Sequence, residues 1–517
     1  MAIETLADIV RVHGAERAER PMLTFEGRTI TYADMDRRSN QVAQALAAAG
    51  VGKDDRVAFI DKNVPEYFEV TFAAAKLDAV TVAVNWRLAP REIAQIVNDA
   101  QAKVVFVGPD FTAHVEQVED QLETVRTIVA VGEHDRWPAY GTWAGAHPAH
   151  DPGARAVPAS VALQLYTSGT TGLPKGVMLT NDNLFGLLGG ATSEWGFRAD
   201  MVNLGVMPLF HIAGSGWDLA VMYMGGHTVM LREIDPAAIL RAIPEHRVTH
   251  TIFVPAVLQF LLMTPGIDET DLSSLETIVY GASPITDKVL TKAMATFGCD
   301  FIQVYGLTET TGAVTQLDAA DHDPEGNPDL LRSCGRPMPG VELRIVGEEG
   351  GDSPAGEVGE VWIRSPQNMA GYWRNPEETA AAKTEDGWLR TGDAGFVKDD
   401  YLYLYDRVKD MIVSGGENVY PAEVENVLMM HPGVADVAVI GVPHERWGET
   451  VKAVVVPAGE RPAPEELIAF AREQLAHFKC PTSIDFAEAL PRNPSGKILK
   501  RELRDPFWAG RDRRIGG

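Results

Sequence analysis

Cysteine is nearly missing from this chain. Cys299, Cys334 and Cys480 are the only three in 517 residues, widely separated and without a CxxC pair. That excludes a disulfide framework and a cysteine zinc site, and it fits a reducing compartment. Long apolar runs are absent too. The longest, around Thr251 to Met263, is broken by Pro255 and Gln259 and is too short to span a bilayer. No basic segment followed by an apolar stretch opens the chain, so no secretory signal is expected. Positive charge is scarce: 46 Lys and Arg face 72 Asp and Glu, a formal net charge of −26 and a pI near 4.9. Sequence-independent nucleic-acid binding needs a cationic surface and is excluded on that ground. Neither the G-x-x-x-x-G-K-[ST] loop nor the G-x-G-x-x-G fingerprint occurs. Arg511, Arg513 and Arg514 end the chain in a short basic tail, which supports at most a weak membrane-surface contact. A cytoplasmic enzyme is the default expectation, and oligomeric state, monomer or homo-oligomer, is left open.

What the chain does contain centres on Tyr166-Thr167-Ser168-Gly169-Thr170-Thr171-Gly172-Leu173-Pro174-Lys175-Gly176. Val161, Leu163 and Leu165 alternate into it as a half-buried strand. Val177, Met178 and Leu179 leave it as a second strand, and Thr180 is placed to cap a helix from Asn181. Glycines let backbone N–H groups approach a ligand closely, the hydroxyls donate, and Lys175 adds a point charge suited to phosphate. The competing reading is an ordinary Gly/Ser/Thr hairpin turn.

Around this loop, strands alternate with helices: Tyr32 to Ala48 helical with Thr31 as its cap, Val57 to Ile60 a strand, Pro65 to Leu77 helical, and Val80 to Val84 and Val104 to Val107 strands. That rhythm implies βαβ units and a mostly parallel sheet. Pro138 to Pro158 reads as a loop. Ile278-Val279-Tyr280 runs into Gly281-Ala282-Ser283-Pro284, and Phe301 to Val304 into Tyr305-Gly306-Leu307-Thr308-Glu309. Glycine-bearing strand ends on one edge of a parallel sheet are where such sheets take ligands. The flat faces of Gly281-Ala282 and Tyr305 suit a purine, Glu309 suits Mg²⁺ against phosphate, and Thr308 suits the α-phosphate or a substrate carboxylate. The opposing reading puts Tyr305 in the core and Glu309 in solvent. From Gly335 to about Asp406, short β-branched segments predict a small antiparallel β-subdomain. Beyond it, strands at Val437 to Val442 and Lys452 to Val456 and helices from Ala422 and Glu465 predict a compact α+β unit.

The eleven-residue stretch and the later motifs, in this order over essentially the whole chain, resemble the acyl-adenylate-forming superfamily of acyl-CoA synthetases, adenylation domains and luciferases, most closely fatty-acyl-CoA synthetases. The resemblance implies a fold class: α/β, with a large N-terminal domain of mostly parallel sheets plus the β-subdomain (residues 1–406), then a small mobile α+β domain (407–517). It implies ATP, Mg²⁺ and coenzyme A, and a carboxylic acid made into an acyl-adenylate and then a CoA thioester. Under it, Thr167, Ser168, Gly169, Thr170, Thr171, Gly172, Gly281, Ala282, Ser283, Tyr305, Gly306, Thr308, Asp393, Arg407 and Lys497 bind ATP or AMP, with Asp393 and Arg407 on the ribose. Lys497, Thr308, Glu309 and Lys175 are the catalytic set, and Glu309 is the metal ligand. His211, Gly281 and Gly306 border the acyl group, Ser414, Gly415 and Gly416 take the pantetheine arm, and Lys409 is the hinge.

Two departures carry information. Amino-acid adenylating members place an Asp just after the aromatic at Phe210-His211, whereas Ile212-Ala213-Gly214 follow here, favouring an apolar or aromatic acid. Lys398-Asp399-Asp400-Tyr401 lacks the glycine of the family's acidic-Gly-aromatic turn. Medium- to long-chain fatty acids are the expected substrates. The alternatives are an aryl or steroid-derived acid, or an acyl-AMP ligase with a non-CoA acceptor.

Overall fold

A computed structural model describes residues 2–168, 174–283, 285–347, 349–407, 410–414, 417–444, 447–492 and 498–509. Its first 407 residues build three sheets. The nine-stranded sheet has a parallel centre: Pro21–Phe25, His227–Met230, Val202–Gly205, His250–Phe253, Thr277–Gly281 and Asp300–Leu307 lie side by side. The seven-stranded sheet has a parallel run from Val161–Ser168 through Val80–Ala83, Arg56–Ile60 and Ala102–Val107 to Thr127–Ala130. Strands buried on both faces read as the near-continuous apolar runs seen in the sequence. Glu342–Val346, Gly359–Arg364, Leu389–Lys398 and Tyr401–Arg407 form the antiparallel sheet expected after Gly335. After Arg407, Ile412–Ser414, Glu417–Val419, Val434–His444, Gly448–Pro457 and Ser483–Phe486 form a last sheet, with helices Pro421–Met429 and Pro464–Gln474. The fold class is the α/β arrangement expected, and among the described residues no helix is long and apolar enough to cross a membrane.

Local chemistry explains the element ends. Thr31 accepts from Asp34 N at 3.1 Å and Asp34 accepts back from the Thr31 hydroxyl at 3.0 Å, so the helix Tyr32–Ala48 starts on a reciprocal cap. The glycine-free turn closes because Asp399 and Asp400 both take positive φ, 52° and 67°, the two left-handed positions of a tight hairpin, which Asp tolerates. One expectation fails. The supposed loop Pro138 to Pro158 contains the helix Tyr140–Gly145, held because the buried Tyr140 hydroxyl donates to Glu69 at 2.7 Å. Proline and glycine in the flanking segment mask that six-residue helix from sequence.

Candidate active site

The strands flanking the Tyr166 to Gly176 stretch reach further into it than expected. Val161–Ser168 pairs antiparallel with Pro174–Thr180, Thr167 opposite Lys175 and Tyr166 opposite Gly176. Thr180 then caps the helix Asn181–Glu194, accepting from Asn183 N at 3.1 Å. Thr167 and Lys175 therefore sit opposite each other on adjacent strands of the seven-stranded sheet. Gly169, Thr170, Thr171 and Gly172 lie outside the described residues.

The nine-stranded sheet carries the other two motifs at the ends of neighbouring parallel strands. Gly281 ends a strand in register with Val304, and Ala282 turns out of it at φ 66°. A Cβ on Gly281 would lie 2.1 Å from Val304 O, and one on Gly306 would lie 1.8 Å from Gly312 O. Backbone packing alone therefore demands both glycines. Thr308 and Glu309 open a single 3-10 turn at the end of Asp300–Leu307. From there the Glu309 carboxylate accepts from the Tyr372 hydroxyl at 2.9 Å and lies 3.5 Å from the Thr167 hydroxyl. Glu309 is half-buried and bonded, not simply solvated. Tyr372 is on the short strand Gly371–Tyr372, which pairs with the second arm of the hairpin, and its ring centre is 5.2 Å from the Lys175 ammonium. The ammonium itself is 2.5 Å from Glu378.

Tyr305 is buried, and its hydroxyl donates to Asp393 at 2.7 Å. Burial first, then Asp393, pushes its pKa well above the ordinary value, so it stays a donor. Asp393 is the backbone register partner of Arg407. Ser414 ends the strand Ile412–Ser414 and is buried. Lys409, Gly415, Gly416 and Lys497 lie outside the described residues.

His211 stands at the start of the helix Ile212–Met224, its ring 4.4 Å from that of Phe210. Its Nε2 is buried with no hydrogen-bond partner. Burial, and secondarily the Arg87 charge, lower its pKa to about 4, so the ring is neutral at pH 7. The expectation missed what holds this segment. Asn63, buried just past the strand Arg56–Ile60, donates to Met207 O and Leu231 O at 3.2 Å and accepts from Leu209 N at 3.2 Å. One carboxamide thus ties the approach to His211 to both large sheets. Its place beyond the carboxyl end of a parallel strand was the available signal. Tyr372 and Glu378 were missed as well, and no spacing in the sequence marks them.

A model of the AMP-binding enzyme family matches residues 10–373, and one of the AMP-binding enzyme C-terminal domain matches residues 423–497. A fatty acid–[acyl-carrier-protein] ligase, ScoC of Streptomyces coeruleorubidus, is 41% identical over 99% of this chain and 98% of its own length. A feruloyl-CoA synthase of an Amycolatopsis species is 40% identical over 93% of this chain and 94% of its own. Among solved structures, the anthranilate CoA ligase AuaEII in complex with anthranoyl-AMP superposes with a TM-score of 0.89 at 28% identity, covering 97% of each chain.

Proposed function

The chain belongs to the AMP-binding enzyme family, as an AMP-forming acid–thiol ligase, and from that premise we propose that it joins a medium- to long-chain fatty acid to coenzyme A. In this reading residues 1–406 bind ATP and acid, and residues 407–517 form a mobile part turning near Lys409. A carboxylate oxygen attacks the α-phosphorus of ATP and pyrophosphate leaves. The CoA sulfur then attacks the acyl carbon, AMP leaves, and the thiol proton passes to solvent.

The observation that carries the reading is the convergence of Thr167, Tyr372 and Lys175 from three strands, and of Glu309 from a 3-10 turn, onto one spot. An acidic oxygen and an ammonium are held together there, as a polyphosphate that arrives with a divalent cation requires. Thr308, beside Glu309, donates to the α-phosphate or the acid. Lys497 brings a flexible ammonium to the charge that builds on the pentavalent phosphorus and the attacking oxygens. Asp393, oriented by Tyr305, accepts from the ribose next to Arg407.

The residues present fit Mg²⁺ that arrives with the nucleotide. Among the described residues no group of three or more His, Cys, Asp or Glu could hold a metal unaided, and Mg²⁺ in nucleotide sites ordinarily takes one or two carboxylates plus phosphate oxygens and water. Glu309 would hold it, and it would neutralise phosphate charge.

For the acid, a neutral His211 followed by Ile212, Ala213 and Gly214 offers an apolar approach with no charge for an amine. An aryl acid is the second reading, favoured by the Phe210–His211 ring pair with Trp86 6.2 Å from Phe210. The test is AMP release from ATP across straight-chain, aryl and steroid-derived acids, with CoA, with a carrier protein or with neither. Activity on fatty acids with CoA, lost in Lys497→Ala, is expected. Pyrophosphate release with no CoA thioester would instead assign a different acceptor.

A further inference from the structure

The ammonium of Lys175 already has an occupant. Its side chain is 11% exposed, and its partner, Glu378 Oε2, is 2.5 Å away. A largely desolvated ammonium is costly without a counter-charge, so some anion has to stand there when no ligand does. Glu378 is held in place for the task. It lies in the first turn of the helix Pro376–Ala382, where its N–H donates to the Asn375 side chain at 3.2 Å. The same helix is tied to Tyr372, whose N–H donates to the Thr379 hydroxyl at 2.9 Å. Tyr372 in turn donates its hydroxyl to Glu309 at 2.9 Å and lies against the Lys175 ammonium. Helix, carboxylate pair and hairpin are thus one connected unit.

A triphosphate entering this spot brings several negative charges to the ammonium that Glu378 holds. The two anions cannot share it without repulsion. We propose that Glu378 is an exchangeable counter-ion of Lys175, holding the ammonium in the nucleotide-free protein, yielding it to the ATP phosphates, and so setting how tightly ATP binds. The inference rests on the reading of Lys175 as a phosphate ligand. It makes Glu378 an affinity-setting residue, not a catalytic one, and it runs against intuition: removing a residue that contacts the site improves binding.

Glu378→Gln keeps the side chain's shape and removes its charge. Calorimetric titration of the full chain with Mg·ATP is expected to give binding roughly three- to tenfold tighter than wild type, the size of one competing ion pair. The nucleotide-free variant is expected to melt lower, and ATP to raise its melting temperature by more. Glu378→Asp, which keeps the charge and shortens the reach, is expected to fall between the two. Glu377→Gln, an exposed neighbour, controls for general loss of negative charge and is expected to bind ATP as wild type does. Unchanged or weaker ATP binding in Glu378→Gln, with wild type binding normally, overturns the inference. Absence of ATP binding by wild type overturns the phosphate reading itself, and this inference with it.

Discussion

The first 406 residues carry 31 Lys and Arg against 56 Asp and Glu, while the last 111 carry 15 against 16. Nearly the whole net charge of −26 therefore belongs to the part proposed to bind ATP and acid, although both ligands are anions. In that part, attraction has to be local. Lys175 is paired with Glu378, and the Tyr305 hydroxyl holds Asp393 by a hydrogen bond. The near-neutral part contains Lys497, the ammonium proposed to act when negative charge peaks. On the proposed reading the two parts divide the work: one recognises by fixed geometry, the other neutralises on arrival.

Removing the arriving charge should have the largest effect. Lys497→Ala is expected to slow adenylate formation by roughly 10²–10³-fold, the scale for losing one preorganised transition-state contact. Thioester formation from supplied acyl-adenylate should remain within a few-fold of wild type. Pyrophosphate exchange and thioester assays measure the halves separately, and equal losses would end the division of labour. Lys409→Pro should invert the pattern, impairing the thioester step more than adenylation, because it stiffens the proposed hinge without touching phosphate.

On the recognising side, Asn63→Ala removes three hydrogen bonds, two of them fully buried, that position the approach to His211. Groups left unpaired in that way cost roughly 1–3 kcal/mol. The KM for the acid is expected to rise tenfold or more while the KM for ATP stays put. A rise in both would mean that the acyl and nucleotide sides are not separately held.

Much of this was legible in the sequence because it is written locally. The cap at Thr31, the strand–turn units at Gly281 and Tyr305, and the cap at Thr180 each follow from residues within a few positions of one another. What joins distant segments was not. Pro21–Phe25 lies parallel to His227–Met230, about two hundred residues away, and periodicity carries no register between strands. Asn63 reaching residues 207–209, Tyr372 reaching Glu309 and Glu378 reaching Lys175 are likewise contacts that only the packed sheets create. Composition also concealed a buried acid. Asp218, on the helix that His211 begins, is buried and accepts from Asn203 at 2.9 Å.

Burial pushes the Asp218 carboxyl up from 3.8 to about 7, only partly offset by Asn203. Between those values the folded protein holds a proton that the unfolded chain has released. Its contribution to stability is therefore full below about pH 4 and is lost as pH rises to about 7. At roughly 1.4 kcal/mol per pKa unit the effect is a few kcal/mol. Asp218→Asn, which keeps an acceptor for Asn203, should flatten that fall in melting temperature between pH 4 and 7. A variant with the wild-type slope would show that another group titrates.

The smallest expected effect tests the comparison most directly. Raising ionic strength from ~0.01 M to ~0.15 M shortens the Debye length from about 30 Å to about 8 Å. That screens the diffuse negative field of the first 406 residues but leaves contacts within hydrogen-bond distance nearly untouched. For a basic nucleotide-binding surface, salt weakens ATP binding. Here the repulsive field is what salt removes, so the KM for ATP should fall, by about twofold, over this range. The same change should be smaller for the pantetheine analogue of CoA, which lacks the nucleotide phosphates. An ATP KM that rises with salt would mean that Lys175, Arg407 and Lys497 outweigh the surrounding carboxylates at a distance, and that recognition in the acidic part is not confined to contact range.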